Sequence, residues 1–477
     1  MTSIRHRHDV GARIATPLRI TMLGIRGFPN VQGGAETHVQ NLSAKLVELG
    51  CKVESIVRTP YVERGRSTFA GTKLVRLWSP LTMGVETFVH TFLGVLWSAW
   101  TRPDILHLHS VGPALFTPLA RALGLRVVVT HHLANYENRK WGPTGRFILR
   151  LGERVGMRFA NGRIAVSGIL GKRMERTYGV PVVVIPNGVG RPSKLRSIKV
   201  LTAFGLEPGR YALTVARLDE QKRQLDLIKA YARIPKPGWK LALAGSADHS
   251  SDYARAVVQA ASETPGVILL GTQTGEALGE LYTHAGVFVL PSSHEGQPIA
   301  VLEAMSYGCP TILSDIPPHR EIGASNTQFV PVGDVATFAE RLQEAFGAAN
   351  SQRLDTCEQE RFMTDHDWGH IARRTLDIYR AALAQRRSAN HLGLPAANGR
   401  HLRLGVRRAS SGGTLWSKAK NTAQSGPDGT YEDSALRLEP SAHDETPSGG
   451  VLRELAAKPE RRRRDNVPQA EHLAEGE

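Results

Sequence analysis

Cysteine is nearly absent from this chain: Cys51, Cys309 and Cys357 are the only three in 477 residues. An odd, unpatterned set excludes a disulfide framework and fits a reducing cytoplasm. Long apolar runs are also missing. The most apolar window, Phe88 to Trp100, contains His90 and is too short to span a bilayer. It reads as a packed helix, with an interfacial helix as the alternative. The opening segment, MTSIRHRHDVGARIATP, has no apolar core, so it is not a signal peptide; residues 1–17 read as a disordered basic leader. Acidic residues are in deficit, 44 against 60 Lys and Arg, which leaves a net charge of +16. That charge points to an anionic partner: nucleotide phosphates, anionic lipid or nucleic acid. No nucleic-acid-binding module is recognisable and no internal repeat stands out.

What is present is enough to build large cores. Hydrophobic residues make up 41% of the chain, and a prior of roughly one domain per 150 residues allows two or three. The most informative stretch is VFVLPSSHEGQPIAVLEAMSYGCPTILSD, from Val287 to Asp315. Val287 to Leu290 is a β-rich run that Pro291, Ser292 and Ser293 stop. A polar loop carries His294 and Glu295. Pro298 suits the first turn of a helix, where its missing N–H has no partner to lose. Leu302, Ala304, Met305 and Tyr307 continue that helix, Gly308 ends it, and Thr311 to Leu313 forms the next strand. This is a strand–helix–strand unit of a parallel sheet, whose ligands bind beyond the carboxyl ends of the strands. A helix start attracts an anion such as a diphosphate. Glu295 in the loop can accept hydrogen bonds from hydroxyls, and Glu303, one turn into the helix, can hold a second hydroxylated group. A nucleotide sugar supplies all three groups.

Earlier in the chain, Arg19 to Leu23 reads as the first strand, Ala35 to Leu49 as a helix and Cys51 to Val57 as the second strand. Between them lies GIRGFPNVQGGAE, with Gly33 and Gly34 before the helix. Glycines here make either a tight turn or a close approach to phosphate. Asp104 to His109 and Arg126 to Thr130 are further strands, with His131 and His132 after the second. These histidines allow a metal, structural or site reading, although no carboxylate or cysteine at ligand spacing supports a metal. A helix from about Thr144 to Ala160 carries Arg146, Arg150, Arg154 and Arg158 beside Phe147, Leu151, Val155 and Phe159. Four-residue spacing keeps each set on one face. The basic stripe reads as a solvated face or as a surface for anionic lipid or a lipid-linked acceptor.

Val182 to Ile185 leads into Pro186-Asn187-Gly188-Val189, followed by a polar, basic linker. A second αβ domain starts near Tyr211. Its first strand runs into ARLDEQK, which offers Arg217 as a planar fork and Lys222 as a point charge. Gly245 and Gly271 end two later strands. Trp368 to Ala384 is an amphipathic helix. Beyond Arg387 the chain turns to Gly, Ser, Pro and charge, including Arg461 to Arg464, and cannot bury enough apolar surface to order itself.

The motifs HEGQPIAVLEAMSYGCPTILSD, GIRGFPNVQGGAETHVQNL and Arg-Leu-x-x-x-Lys together resemble the retaining glycosyltransferases of family four, nearest to bacterial polysaccharide and cell-envelope enzymes. The resemblance spans roughly residues 18–385. It implies the α/β GT-B fold, with two Rossmann-like domains facing across a cleft. Residues 18–190 would form the first domain, on the acceptor side, and 191–365 the nucleotide-sugar domain. A helix at 366–387 would return to the first domain, with a tail at 388–477. The resemblance further implies transfer of a hexosyl group from a nucleoside-diphosphate sugar to a glycan or lipid-linked acceptor, without metal or cofactor. Arg217 and Lys222 would clamp the diphosphate, Glu295 the sugar and Glu303 the ribose. Gly33, Gly34 and His132 would form the opposite wall. Gly245, Gly271 and the Gln297-Pro298-Ile299 turn would lie along the donor. Leu133 and Arg223 stand where relatives often have glycine.

A cytoplasmic protein, peripheral on a membrane, fits this reading; a nucleic-acid partner does not. A nicotinamide dehydrogenase is disfavoured, because Gly24 and Gly27 do not make G-x-G-x-x-G and the second strand ends in Val57-Arg58 rather than an acid. A sugar-nucleotide epimerase of the same fold is the nearest enzymatic alternative, and a nucleic-acid-binding protein the non-enzymatic one.

Overall fold

The computed structural model describes residues 16–391, apart from short segments at 83, 138–140, 193–194, 236–237, 248–250 and 348–352. The expected leader up to residue 15, the Asn138-Arg139-Lys140 segment and the tail from residue 392 lie outside the described residues. Everything described belongs to one compact unit.

Two sheets organise that unit. The first contains β1 (Arg19–Leu23), β2 (Lys52–Arg58), β3 (Thr68–Phe69), β4 (Thr72–Leu77), β5 (Ile105–His109), β6 (Val127–His131), β7 (Gly162–Ala165) and β8 (Val183–Val184). Their spatial order is β3-β4-β2-β1-β5-β6-β7-β8, parallel throughout except for the β3–β4 hairpin at the edge. The second contains β9 (Tyr211–Val215), β10 (Lys240–Ala244), β11 (Val267–Gly271), β12 (Val287–Leu290), β13 (Thr311–Ser314) and β14 (Thr327–Val330). Its order is β11-β10-β9-β12-β13-β14, all parallel. In each sheet the chain reverses its direction of growth beside the first strand, between β1 and β5 and between β9 and β12. Such switch points open a crevice at the carboxyl ends of the strands.

The strands form where the sequence is continuously apolar. All four residues of β12 are buried, as expected for a central parallel strand covered on both faces. Pro291 then offers no N–H to continue the ladder. The following helix runs Ile299–Ser306, so Pro298 sits at its N-cap, one place earlier than expected. Tyr307 caps the other end, and Gly308 at φ +75° turns the chain away, a conformation glycine adopts without strain. Helix Gly34–Glu48 buries Val39, Leu42 and Leu46 against the first sheet. His131 is the last residue of β6 rather than part of the loop beyond it.

The long terminal helix, Trp368–His391, follows the second sheet in sequence but packs on the first. Trp368, Ile371, Leu376 and Tyr379 join the core of Val39, Leu42 and Leu46, and Tyr379 Oη lies 2.7 Å from His107 Nδ1 on β5. This is the return crossing expected of the GT-B fold. A second tie comes from Glu321, whose carboxylate accepts the Gly168 and Ile169 N–H groups at the start of helix Gly168–Tyr178. An acid at a helix start satisfies orphan donors and complements the helix dipole.

Helix Val85–Thr101 packs on the first sheet, but through one face only. His90, Thr91, Gly94, Val95 and Ser98 face the core, and the larger apolar residues Phe88, Phe92, Leu96 and Trp100 face outward. The reason is volume: Gly94 lies so close to Leu23 that a Cβ there would meet its side chain at 2.5 Å. The inner face therefore takes small residues beside Leu23; Trp97 packs at its margin and donates to Glu54 at 2.9 Å, while Phe88, Phe92, Leu96 and Trp100 are left outside.

Candidate active site

The carboxyl ends of both sheets line a single cleft of about 1080 Å³. Glycine shapes its walls where backbones come close. Gly245, after β10, has φ +143°, and a Cβ would meet the Ala216 carbonyl oxygen at 1.9 Å and Gln32 Nε2 at 2.7 Å. Gly33 has φ +152°, with Glu36 Oε2 at 2.1 Å from an added Cβ. Gly34 has open space at that position, so packing does not demand a glycine there. Gly271 does not line the cleft. It accepts the Gly245 N–H at 2.7 Å and shapes the wall through its neighbour, while Gln273, Thr274 and Gly275 take the lining position.

The second domain's wall carries the charges. Lys222, in the short turn Glu220–Lys222, places Nζ 2.5 Å from Glu295 Oε1 in the loop after β12. Burial would raise the Glu295 carboxyl, but the Lys222 charge, then His319 and hydrogen bonds, outweigh it and hold the group below its ordinary value. Arg217 lies on the same wall, and its charge also acts on Glu36 across the cleft. Glu303 is different. Burial pushes it up to about 7, against the pull of a 3.0 Å hydrogen bond donated by Tyr282. One carboxylate is thus held ionised and the other is poised near neutrality. Pro298, Ile299 and Gln297 complete this wall.

His132 lines the opposite wall, with His38, His109 and His107 buried behind it. His132 Nε2 is 3.2 Å from His109 Nδ1, and His38 Nδ1 is 2.8 Å from Asn187 Oδ1. Burial pushes His38 down to about 4 and His107 down to about 3, and drives His109 and His132 well below the usual imidazole value. The cluster is therefore uncharged at neutral pH. Ligand-capable atoms of His38, His109 and His132 all lie within 4.8 Å of one another. Spacing along the chain concealed this grouping, because each residue comes from a different element.

Asn187 ties the two walls together. Its backbone N–H donates to Gln297 Oε1 at 2.5 Å and its Nδ2 to the Gln297 carbonyl at 2.9 Å. Beside it, a Cβ on Gly296 would lie 1.6 Å from the His132 carbonyl oxygen, so only glycine permits the approach.

Behind His132, His131 Nε2 is 2.6 Å from Glu153 Oε2 on helix Pro143–Phe159; both side chains are almost fully buried. Tyr178 donates to Glu153 at 2.6 Å and Tyr136 at 3.2 Å.

The structure thus gathers Gly33, Gly34, His132, Arg217, Lys222, Gly245, Glu295, Gln297, Pro298, Ile299 and Glu303 around one cleft. Arg146, Arg150, Arg154 and Arg158 lie outside it, on helix Pro143–Phe159; Arg146 is half-buried and the others are exposed. Sequence reasoning missed His38, His109, Tyr282, Gly296 and Glu153. His38 and Gly296 lay inside the quoted motifs, and His109 and Glu153 inside a named strand and helix; only Tyr282 lay outside every stretch singled out.

Two parallel-sheet Rossmann-like units sharing a cleft at their strand ends define the GT-B class. Sucrose-phosphate synthase from Thermosynechococcus elongatus has this fold, with a TM-score of 0.66 at 20% identity over 77% of this chain and all of that one. Residues 204–354 match the family described as Glycosyl transferases group 1, and residues 32–190 match Glycosyltransferase Family 4. The α-maltose-1-phosphate synthase of Mycobacterium tuberculosis is 29% identical over 402 residues, covering 77% of this chain and 100% of the relative. The GDP-mannose:cellobiosyl-diphosphopolyprenol α-mannosyltransferase of Xanthomonas oryzae is 31% identical over 206 residues, 40% of this chain and 54% of the relative. Together these matches support a GT-B glycosyltransferase that is family-four-like.

Proposed function

We propose that this glycosyltransferase moves a hexosyl group from a nucleoside-diphosphate sugar to an acceptor hydroxyl with retention of anomeric configuration, in bacterial polysaccharide or cell-envelope glycan synthesis. The observation that carries this reading is the Lys222–Glu295 pair, set beside the N-terminus of helix Ile299–Ser306 and facing His132 across the cleft. In this pair each group neutralises the other. When the donor enters, Lys222 and Arg217 turn to the diphosphate, and Glu295, kept ionised, accepts the sugar hydroxyls. Glu303 takes the ribose diol. As the bond from the anomeric carbon to the diphosphate breaks, negative charge grows on the leaving oxygen, where the two cations and the helix amides stabilise it. That oxygen then accepts the proton of the acceptor hydroxyl, whose oxygen bonds the anomeric carbon from the same face. Uncharged His132 accommodates the sugar without adding charge near the reacting carbon.

The test is steady-state turnover with a panel of nucleotide sugars, with and without excess chelator, and the product's anomeric configuration by NMR. Retention with chelator-insensitive rates is expected. An inverted product, strict dependence on a divalent ion, or isomerisation of the donor without any acceptor overturns the reading.

The Glu303 value adds a pH prediction. Between the ordinary 4.5 and about 7, the folded chain holds a proton that the unfolded chain has lost, so this group's contribution to stability declines as pH rises through that window. Ribose hydroxyls donate best to the ionised form. Donor affinity should therefore weaken as pH falls below about 7, with proton release on binding. Calorimetry in buffers of different ionisation heat reads that release, and Glu303→Gln should abolish it. PH-independent affinity would remove Glu303 from the ribose role.

A further inference from the structure

The outward face of helix Val85–Thr101 has no counterpart in a protein surrounded only by water. Val85, Phe88, Phe92, Leu96 and Trp100 follow one another at intervals of three or four residues, and all are 40% to 76% exposed. The helix has one charged residue, Glu86, which is buried and paired with Arg58. Isolated exposed apolar residues are ordinary, but a contiguous apolar helix face marks an interaction site. Trp78 and Leu81, just upstream, extend the apolar surface at 64% and 67% exposure.

Helix Pro143–Phe159 flanks the same surface. Its solvent side is divided lengthwise. Phe147, Leu151, Val155 and Phe159 occupy one strip, and Arg150, Arg154 and Arg158 the other. The segment Val111–Phe116 lies between the two helices. The Phe116 ring packs at a tilt against Phe88 at 4.8 Å and Phe92 at 6.1 Å, while Gly152 and Gly156 press close to Val111 and Ala114. Both apolar strips therefore lie on the same side of the first sheet. Their N-terminal ends meet at the cleft, whose lining includes Val85 and Phe88 from one and Trp141 and Ile148 from beside the other.

We infer that these two helices dock the enzyme on an anionic lipid surface, with the mouth of the cleft at that surface. Bulky apolar side chains flanked by arginines match the two layers of such a surface, acyl chains below and anionic headgroups above. Tryptophans at the margin of the patch suit the boundary between them. No helix among the described residues is long and apolar enough to cross a membrane, so this contact would be interfacial. A second copy of the chain would cover the apolar strip but would gain nothing from the adjoining arginines. What enters the mouth depends on the transferase reading above: a hydroxyl carried on a lipid-anchored acceptor. Docking itself is measured without turnover, so the two readings fail separately.

The experiment is co-sedimentation of the full-length protein with vesicles of phosphatidylcholine, with and without phosphatidylglycerol, at low and high salt. The wild type is expected to bind the anionic vesicles in a salt-sensitive manner. Phe92→Ser/Leu96→Ser/Trp100→Ser should weaken binding at least about tenfold. Arg154→Glu/Arg158→Glu should weaken it about tenfold or more as well. None of these residues lines the cleft, so nucleotide-sugar binding and thermal denaturation should stay near wild type. Every variant keeps Arg461 to Arg464, whose contribution is then common to all. Failure of the wild type to bind, or wild-type binding by both variants, overturns the proposal. So does a dimeric wild type that ignores vesicles and becomes monomeric with the triple substitution, because the face would then be buried between copies.

Discussion

Lys222→Ala should lower kcat by roughly two to three orders of magnitude, and Arg217→Ala by a similar factor. Loss of one group that stabilises developing negative charge typically costs about 2.7–4 kcal/mol of barrier. Lys222 has a second effect that Arg217 lacks. Its charge is the largest influence opposing burial at Glu295. Without it, a buried carboxylate has lost its partner and its pKa rises. A depressed carboxylate is present in its active, ionised form down to low pH. In Lys222→Ala the acid limb of the pH–rate profile should therefore move to higher pH, whereas in Arg217→Ala it should stay in place. Lys222→Arg should recover part of the rate, since the charge returns in a different shape. Steady-state kinetics across pH settle the matter: a loss below about tenfold, or identical profiles for the two alanine variants, would remove the clamp from the mechanism.

Glu153→Ala should be among the most destabilising single changes in the first domain. The carboxylate is buried and has partners in His131, Tyr178 and Tyr136. Removing it leaves three polar groups in or near the core without their acceptor, and each buried unsatisfied group costs on the order of 1–3 kcal/mol. For a unit of this size 1 kcal/mol corresponds to about 2–4 °C, so Tm should fall by roughly 10 °C. Glu153→Gln retains a carbonyl acceptor and should lose less. The consequence reaches the cleft because His131 is the residue next to His132. In the surviving folded fraction of Glu153→Ala, kcat should drop while donor affinity holds. Calorimetry and kinetics on the two variants test this, and a Tm within a few degrees of wild type for the alanine form would show that the network is dispensable.

Much of this was legible from local pattern. Val287 to Leu290 and Tyr211 to Val215 are strands with the expected boundaries, because continuous apolar runs between turn residues leave little ambiguity. Glu295 was readable as a site residue from its place at a strand end, and the family resemblance joined Lys222 to it. Their direct pairing was not readable, since it depends on how the β9 and β12 loops converge. The histidine cluster was hidden for the same reason: His38 sits on a helix, His109 at the end of β5 and His132 beyond β6. Gly271 was assigned to the donor by the family resemblance, but the chain reaches the cleft only from Gln273. For helix Val85–Thr101, composition alone argued for burial. Which face a helix buries depends on the room beneath it, and there Leu23 leaves space only for Gly94.

The terminal helix bears on the order in which the protein can be made. Residues 19–184 contain every strand of the first sheet, and they leave the ribosome first. Yet one layer of that sheet's core comes from Trp368, Ile371, Leu376 and Tyr379. Until those residues emerge, Val39, Leu42 and Leu46 lack part of their covering, and the nascent first half waits with apolar surface uncovered. The second sheet draws its strands from one contiguous stretch and has no such wait. During synthesis the later half should therefore reach protease resistance first, reversing the usual N-terminal-first order. Release of the last helix would then complete the first half.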